Sequence, residues 1–167
     1  LAASNGVIRD RVSAALVTGA RFGELSRLRV SDYDPDNRSV FIAESKSGKP
    51  RHIPLPEGGA GLFKRLCDGR GGDEPLLRQE SGAGWAKSSY QRAWKALLER
   101  AGLADVTLHE IRHTYASAMV RGGAPLMVVA QALGHSDTRM VDKHYAHLAP
   151  SYVADTIRNH VLKLVAN

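Results

Sequence analysis

Strand-like segments occur in this chain only between residues 30 and 55; elsewhere the apolar pattern repeats at three and four residues. Residues 39–43 (Ser-Val-Phe-Ile-Ala) and 51–55 read as two strands joined by a turn around Ser47-Gly48-Lys49-Pro50, and residues 30–33 as an edge strand. That is too little strand for a large sheet. The expected class is α+β, mainly α-helical, with a small antiparallel sheet near residues 30–55 and Lys46 at the lip of its hairpin.

Helix signals fill most of the rest. Val7, Ile8, Val12, Ala15 and Leu16 form a stripe over residues 7–18 that Gly19 can close, and a short helix over 22–28 buries Leu25 and Leu28. Residues 57–61 and 68–84 are glycine-rich and read as loops around a helix over 62–67, with neither phosphate-cradling fingerprint among them. Ser88 or Ser89 can cap a helix that buries Tyr90, Ala93, Trp94, Leu97 and Leu98 and ends at Gly102. Its other face carries Gln91, Arg92, Lys95 and Arg100, which either meet phosphates or are simply solvated. Thr107 can cap a helix over 108–121 with Leu108, Ile111, Tyr115, Ala118 and Met119 inward and His109 and Arg112 together beside that stripe. Pro125 opens a helix that ends at Gly134, which puts His135 in a tight corner; Asp137 can cap the next helix, with Met140, Val141 and Tyr145. After Pro150 comes a last amphipathic helix, with Val153, Ile157, Val161, Leu162 and Val165.

The 167 residues suit one domain, and a formal charge of +6 suits a polyanionic partner, because neutralised phosphates release counterions. Cys67 is the sole cysteine, which excludes an internal disulfide and points to a reducing compartment, the cytoplasm. No run of about 18 apolar residues suggests a membrane span. The start at Leu1 rather than Met suggests a fragment with sequence missing upstream.

Several local motifs compete. Residues 109–113 spell His-Glu-x-x-His, a helical zinc motif, but Ala116 and Met119 stand where its extended form needs glycine and histidine, and no glutamate follows Glu110. Asp32, Asp34 and Asp36 resemble the start of a calcium loop, yet Pro35 intrudes, and Asn37 and Ala43 replace its glycine and glutamate. His144 and His147 read as polar helix-end residues. Residues 131–145 also suit a non-catalytic helix-turn-helix DNA reader. A different set has a joint logic: Arg21, Lys46, His109, Arg112 and His135 can hold a phosphate, and the Tyr145 phenol can attack it without a metal.

In this order those residues resemble the tyrosine recombinase (phage integrase) family. The family's Thr-Gly-x-Arg motif with a nearby acid is matched by Thr18 to Glu24, and its hairpin lysine by Lys46 with Gly48 and Lys49. Its His-x-x-Arg-His-Thr helix is matched by His109 to Thr114, its Leu-Gly-His corner by Leu133 to His135, and its nucleophile with Ala-His by Tyr145 to His147. Asp142 departs from the threonine many relatives carry there.

The resemblance implies a DNA breaking-rejoining fold and strand exchange through a covalent 3′-phosphotyrosine, with no cofactor or metal. It implies that Arg21 and Arg112 clamp the phosphate, His135 adds a hydrogen bond, His109 accepts the phenolic proton, and Lys46 protonates the 5′-oxygen. Glu24 would brace Arg21; Lys49, Arg92, Lys95 and Arg100 would be further DNA contacts. It also implies a bacterial or phage origin, double-stranded DNA as partner and a homotetramer on it, with the last helix docked on a neighbouring protomer, although its apolar face equally permits docking on its own domain. The family's N-terminal core-binding domain has no counterpart in the chain, so residues 1–167 are expected to be the catalytic domain alone.

Overall fold

The computed structural model describes residues 2–4, 6–43 and 50–148. Helix α1 (Gly6–Thr18) is the centre of the fold, burying Ile8, Val12, Ala14 and Ala15 and packing against α5 (Leu108–Arg121) and α3 (Glu57–Cys67). Even Arg11 is fully buried on it: its guanidinium lies 4.6 Å from the Phe22 ring and donates to the Phe22 carbonyl and the Ser26 hydroxyl. That anchors α2 (Phe22–Arg27) across the end of α1.

The chain turns between α1 and α2 at Gly19, whose φ of +60° favours glycine. A Cβ there would fall 2.9 Å from Tyr115 Cγ, inside the space the ring occupies. Gly19→Ala therefore combines backbone strain with overpacking. The expected cost is about 2–4 kcal/mol, read as a clearly lowered melting temperature.

Strands β1 (Tyr33–Asp34), β2 (Ser39–Ile42) and β3 (Arg51–Pro54) form an antiparallel sheet in the order β1-β2-β3. Val40 pairs with Ile53 on the buried face and Phe41 with His52 on the other, their rings 4.8 Å apart. The edge strand is shorter than expected because residues 30–32 make a 3-10 turn, closed by the Arg29 amide donating to the Asp32 carboxylate at 2.7 Å.

Helix α3 corrects another expectation: residues 57–61 are its first turns, not a loop. Buried Gly59 lies so close to α1 that a Cβ would be 3.3 Å from that of Val17, and docking outweighs the roughly 1 kcal/mol helix penalty of a glycine. Helix α4 (Lys87–Ala101) is preceded by Ala86; Ser89 does not cap it, but donates back to the Ala86 carbonyl at 3.0 Å. Gly102 ends it in the left-handed conformation. Thr107 caps α5 as its sequence predicts, but the inward stripe continues through Ala116 and Val120, while Ala118 faces outward.

Helices α6 (Leu126–Leu133) and α7 (Arg139–Tyr145) close a second small core against α5. Tyr145 belongs to it with Ala116, Val120, Val129, Ala130, Leu133 and Val141. Thr138 takes the cap position of α7, although the Asp137 carboxylate accepts from the Arg139 amide at 3.0 Å. Met140 is exposed. Among the described residues, no helix is long and apolar enough to cross a membrane. The last amphipathic segment and Tyr152 lie outside the described residues.

Candidate active site

Two corners meet around Arg112. Its Nη1 donates to the Gly19 carbonyl at 2.6 Å, and its Nη2 to the Leu133 carbonyl at 2.5 Å. The same Nη2 lies 3.2 Å from His135 Nε2. One side chain of α5 thus ties the α1–α2 turn to the α6–α7 corner. Burial, and then the nearby Arg21, hold its pKa down at about 10, and Glu24 opposes this; it stays cationic at neutral pH.

Glu24 organises the other cations. Its buried carboxylate accepts from the Arg21 amide at 2.7 Å, from Arg21 Nη1 at 3.2 Å, and from Arg51 Nη1 and Nη2 at 3.2 and 3.1 Å. Arg51 Nε donates to the Ala132 carbonyl at 2.9 Å, so this residue fastens β3 to α6. Among the described residues, the Glu24 carboxylate thus faces Arg21, Arg51 and Arg112 in a largely buried corner.

Gly134 closes α6 at φ +67°, and a Cβ there would lie 2.6 Å from Arg51 Nη1. His135 follows at once. Burial first, then Arg112, Arg21 and Arg51, hold its imidazole below the usual range, so it is neutral at pH 7. With Arg21, Ser136, Asp137, Arg139 and Met140 it lines an open cavity of about 560 Å³.

Tyr145 ends α7, and its hydroxyl is hydrogen-bonded to His113 Nδ1 on α5, next in sequence to Arg112. Burial raises the phenol pKa, and the positive field of Arg112 opposes the rise. Burial, then His109 and His144, lower that of His113. His109 is exposed one turn away, its ring edge-on to that of His113 at 4.5 Å between centroids.

Of the residues singled out in the sequence, the structure brings Arg21, Glu24, Arg112 and His135 together, with Tyr145 within the electrostatic reach of Arg112. Lys46 and Lys49 lie outside the described residues. Arg92, Lys95 and Arg100 are exposed on α4, where Lys95 reaches Glu99 at 4.0 Å. Sequence reasoning missed Arg51 as a site member and saw His113 chiefly as half of a metal pair. The pairing register held a signal for Arg51: it stands opposite buried Ile42, so both share a face.

The competing motifs resolve into structural duties. Glu110 accepts from the Thr107 amide at 2.7 Å and from the Thr107 hydroxyl, closing the capping box of α5. Asp34 accepts from the Asn37 amide at 3.0 Å and side chain at 2.7 Å, making a turn. Among the described residues, no group of three His, Cys, Asp or Glu side chains is placed to hold a metal ion.

The phage integrase family model matches residues 3–151, and the chain belongs to that family. It is 32% identical over 150 residues to the tyrosine recombinase XerA of Pyrococcus furiosus, covering 82% of this chain and 52% of the relative. It is 27% identical over 168 residues to the integrase of Salmonella phage P22, covering 90% of this chain and 42% of that one. The chain spans about half the length of these curated relatives.

Among solved structures, a XerA recombinase crystal structure superposes with a TM-score of 0.71 at 27% identity, covering 98% of this chain and 60% of that one. The catalytic domain of bacteriophage HP1 integrase superposes at 0.67 with 28% identity, covering 89% and 79%.

Proposed function

We propose that this chain is the catalytic domain of a site-specific DNA recombinase that cuts and rejoins strands through a 3′-phosphotyrosine, without metal or ATP. One observation carries the reading. The cationic corner built on Arg112 and the hydroxyl of Tyr145 meet at adjacent residues of α5, so an anion-binding pocket and a nucleophile share one helix turn. A scissile phosphate sits against these cations. Arg21 and Arg112 grip its non-bridging oxygens through planar donor forks, and His135 adds a hydrogen bond. Donors fixed in advance stabilise the charge that builds in the transition state.

The phenol must lose a proton before it attacks; the family resemblance names His109 as its acceptor, with His113 beside it on α5. With the model-peptide pKa near 10, only about 0.1% of a tyrosine is ionised at pH 7, and burial raises the barrier further. The new O–P bond to Tyr145 forms as the P–O5′ bond breaks, and Lys46 protonates the departing oxygen. Attack by another 5′-hydroxyl reverses each step, so the energy of the broken bond is kept.

Glu24 and Arg51 hold Arg21 in place, while Lys49, Arg92, Lys95 and Arg100 supply salt-dependent backbone contacts. Crystal structures of related folds include a lambda integrase dimer on a core site, in keeping with double-stranded DNA as partner. A tetramer on DNA, with the last helix on a neighbour, and a cytoplasmic setting complete the reading.

The test is a nicked duplex of a site selected by binding from a random-sequence pool, incubated with chelator and resolved on a denaturing gel. A covalent protein–DNA band in chelator is the expected result. Salt-sensitive binding without that band would favour a plain DNA-binding module, and a requirement for metal would favour hydrolysis at His109 and His113.

A further inference from the structure

We infer that His113 is the base that takes the phenolic proton from Tyr145 and returns it when the strand is resealed. The inference rests on the recombinase reading and assigns one step within it. The Tyr145 hydroxyl is bonded to His113 Nδ1, whereas His109 stands exposed behind that ring. For Nδ1 to accept, the neutral imidazole carries its proton on Nε2. The surroundings keep it neutral: His109, Glu110 and Arg112 face it from α5 and His144 and Tyr145 from α7, and burial first, then repulsion by His109, His144 and Arg112, lower its pKa against the opposing pull of Glu110.

In the forward step the Tyr145 O–H bond breaks as an N–H bond forms at Nδ1. The phenolate forms its bond to phosphorus while the P–O5′ bond breaks, and that oxygen takes a proton from Lys46. Resealing runs these transfers backwards. The imidazolium is formed beside Arg112, so it passes its proton back readily.

A duplex with sulfur in place of the 5′-bridging oxygen isolates this step, because a thiolate leaves without an acid. On that substrate the wild type should cleave at a rate that levels off above the range where His113 loses its proton. His113→Asn keeps a hydrogen-bonding group near the Nδ1 position but cannot take a proton. It should cleave about 10²–10⁴-fold more slowly at pH 7 and gain about tenfold per pH unit up to pH 9, as hydroxide takes over.

A wild-type rate and profile in His113→Asn would overturn the assignment, as would a slower variant that keeps the wild-type profile, the mark of a merely structural role. His109→Asn separates the two imidazoles: the same tenfold-per-unit profile there, with His113→Asn unaffected, would give the step to His109. If the wild type forms no adduct on either substrate, the recombinase reading fails with it; if it forms one and only the His113 expectation fails, that reading stands.

Discussion

Tyr145→Phe is expected to leave a folded, DNA-binding protein that never becomes covalently attached to its substrate. The change removes one oxygen. The ring keeps its place in the small core with Ala116, Val120, Val129 and Val141, and only the hydrogen bond to His113 is lost. The stability change is therefore about 1 kcal/mol, while the chemistry loses its nucleophile. A nucleophile removed from a concerted site costs on the order of 10⁴-fold or more, which on a denaturing gel is no band. Tyr152→Phe should retain the band. An adduct that persists in Tyr145→Phe would remove residue 145 from the mechanism.

Arg112→Ala should damage both folding and catalysis, a combination few single changes at an active site produce. The carbonyls of Gly19 and Leu133 lose their donor in a buried place, at about 1–3 kcal/mol each. Relief of repulsion from Arg21 and Arg51 offsets part of this, so the net loss should be about 2–4 kcal/mol, read from thermal or denaturant melts. Losing one arm of the clamp should lower single-turnover cleavage about 10²–10³-fold even at temperatures where the variant is fully folded. Arg112→Lys keeps the charge, but an ammonium on a single stem cannot reproduce the planar fork that reaches both carbonyls and the phosphate. It should recover part of the stability and little of the rate. Rates restored to the wild-type level by lysine would mean that charge alone, not the fork, is what the site needs.

How far the fold was legible depended on whether its cause was local. Thr107 with Glu110 three residues on, and Gly102 and Gly134 after apolar stripes, act within a few residues, and the sequence displays them. The glycine-rich start of α3 does not, because Gly59 is explained by how closely α1 approaches, a tertiary fact. The same holds for the α5 stripe, which turns toward α6 at Ala116 and Val120 because the second core lies there.

In the site, Arg21, Arg112, His135 and Tyr145 could be singled out by their immediate neighbours in sequence. Arg51 could not: its importance arises from the Glu24 carboxylate 27 residues earlier and the Ala132 carbonyl 81 residues later. His113 was visible but ambiguous, since two histidines four apart suit a metal as well as a phenol, and only the position of α7 decides between them.

The most direct measurement is to trap the protein on its nicked DNA site, digest both components, and sequence the nucleotide-bearing peptide by tandem mass spectrometry. A 3′-phosphate ester on Tyr145 is expected, with its yield collapsing in Arg21→Ala and Arg112→Ala. A nucleotide carried by Tyr33, Tyr90, Tyr115, Tyr152 or any other side chain would contradict it.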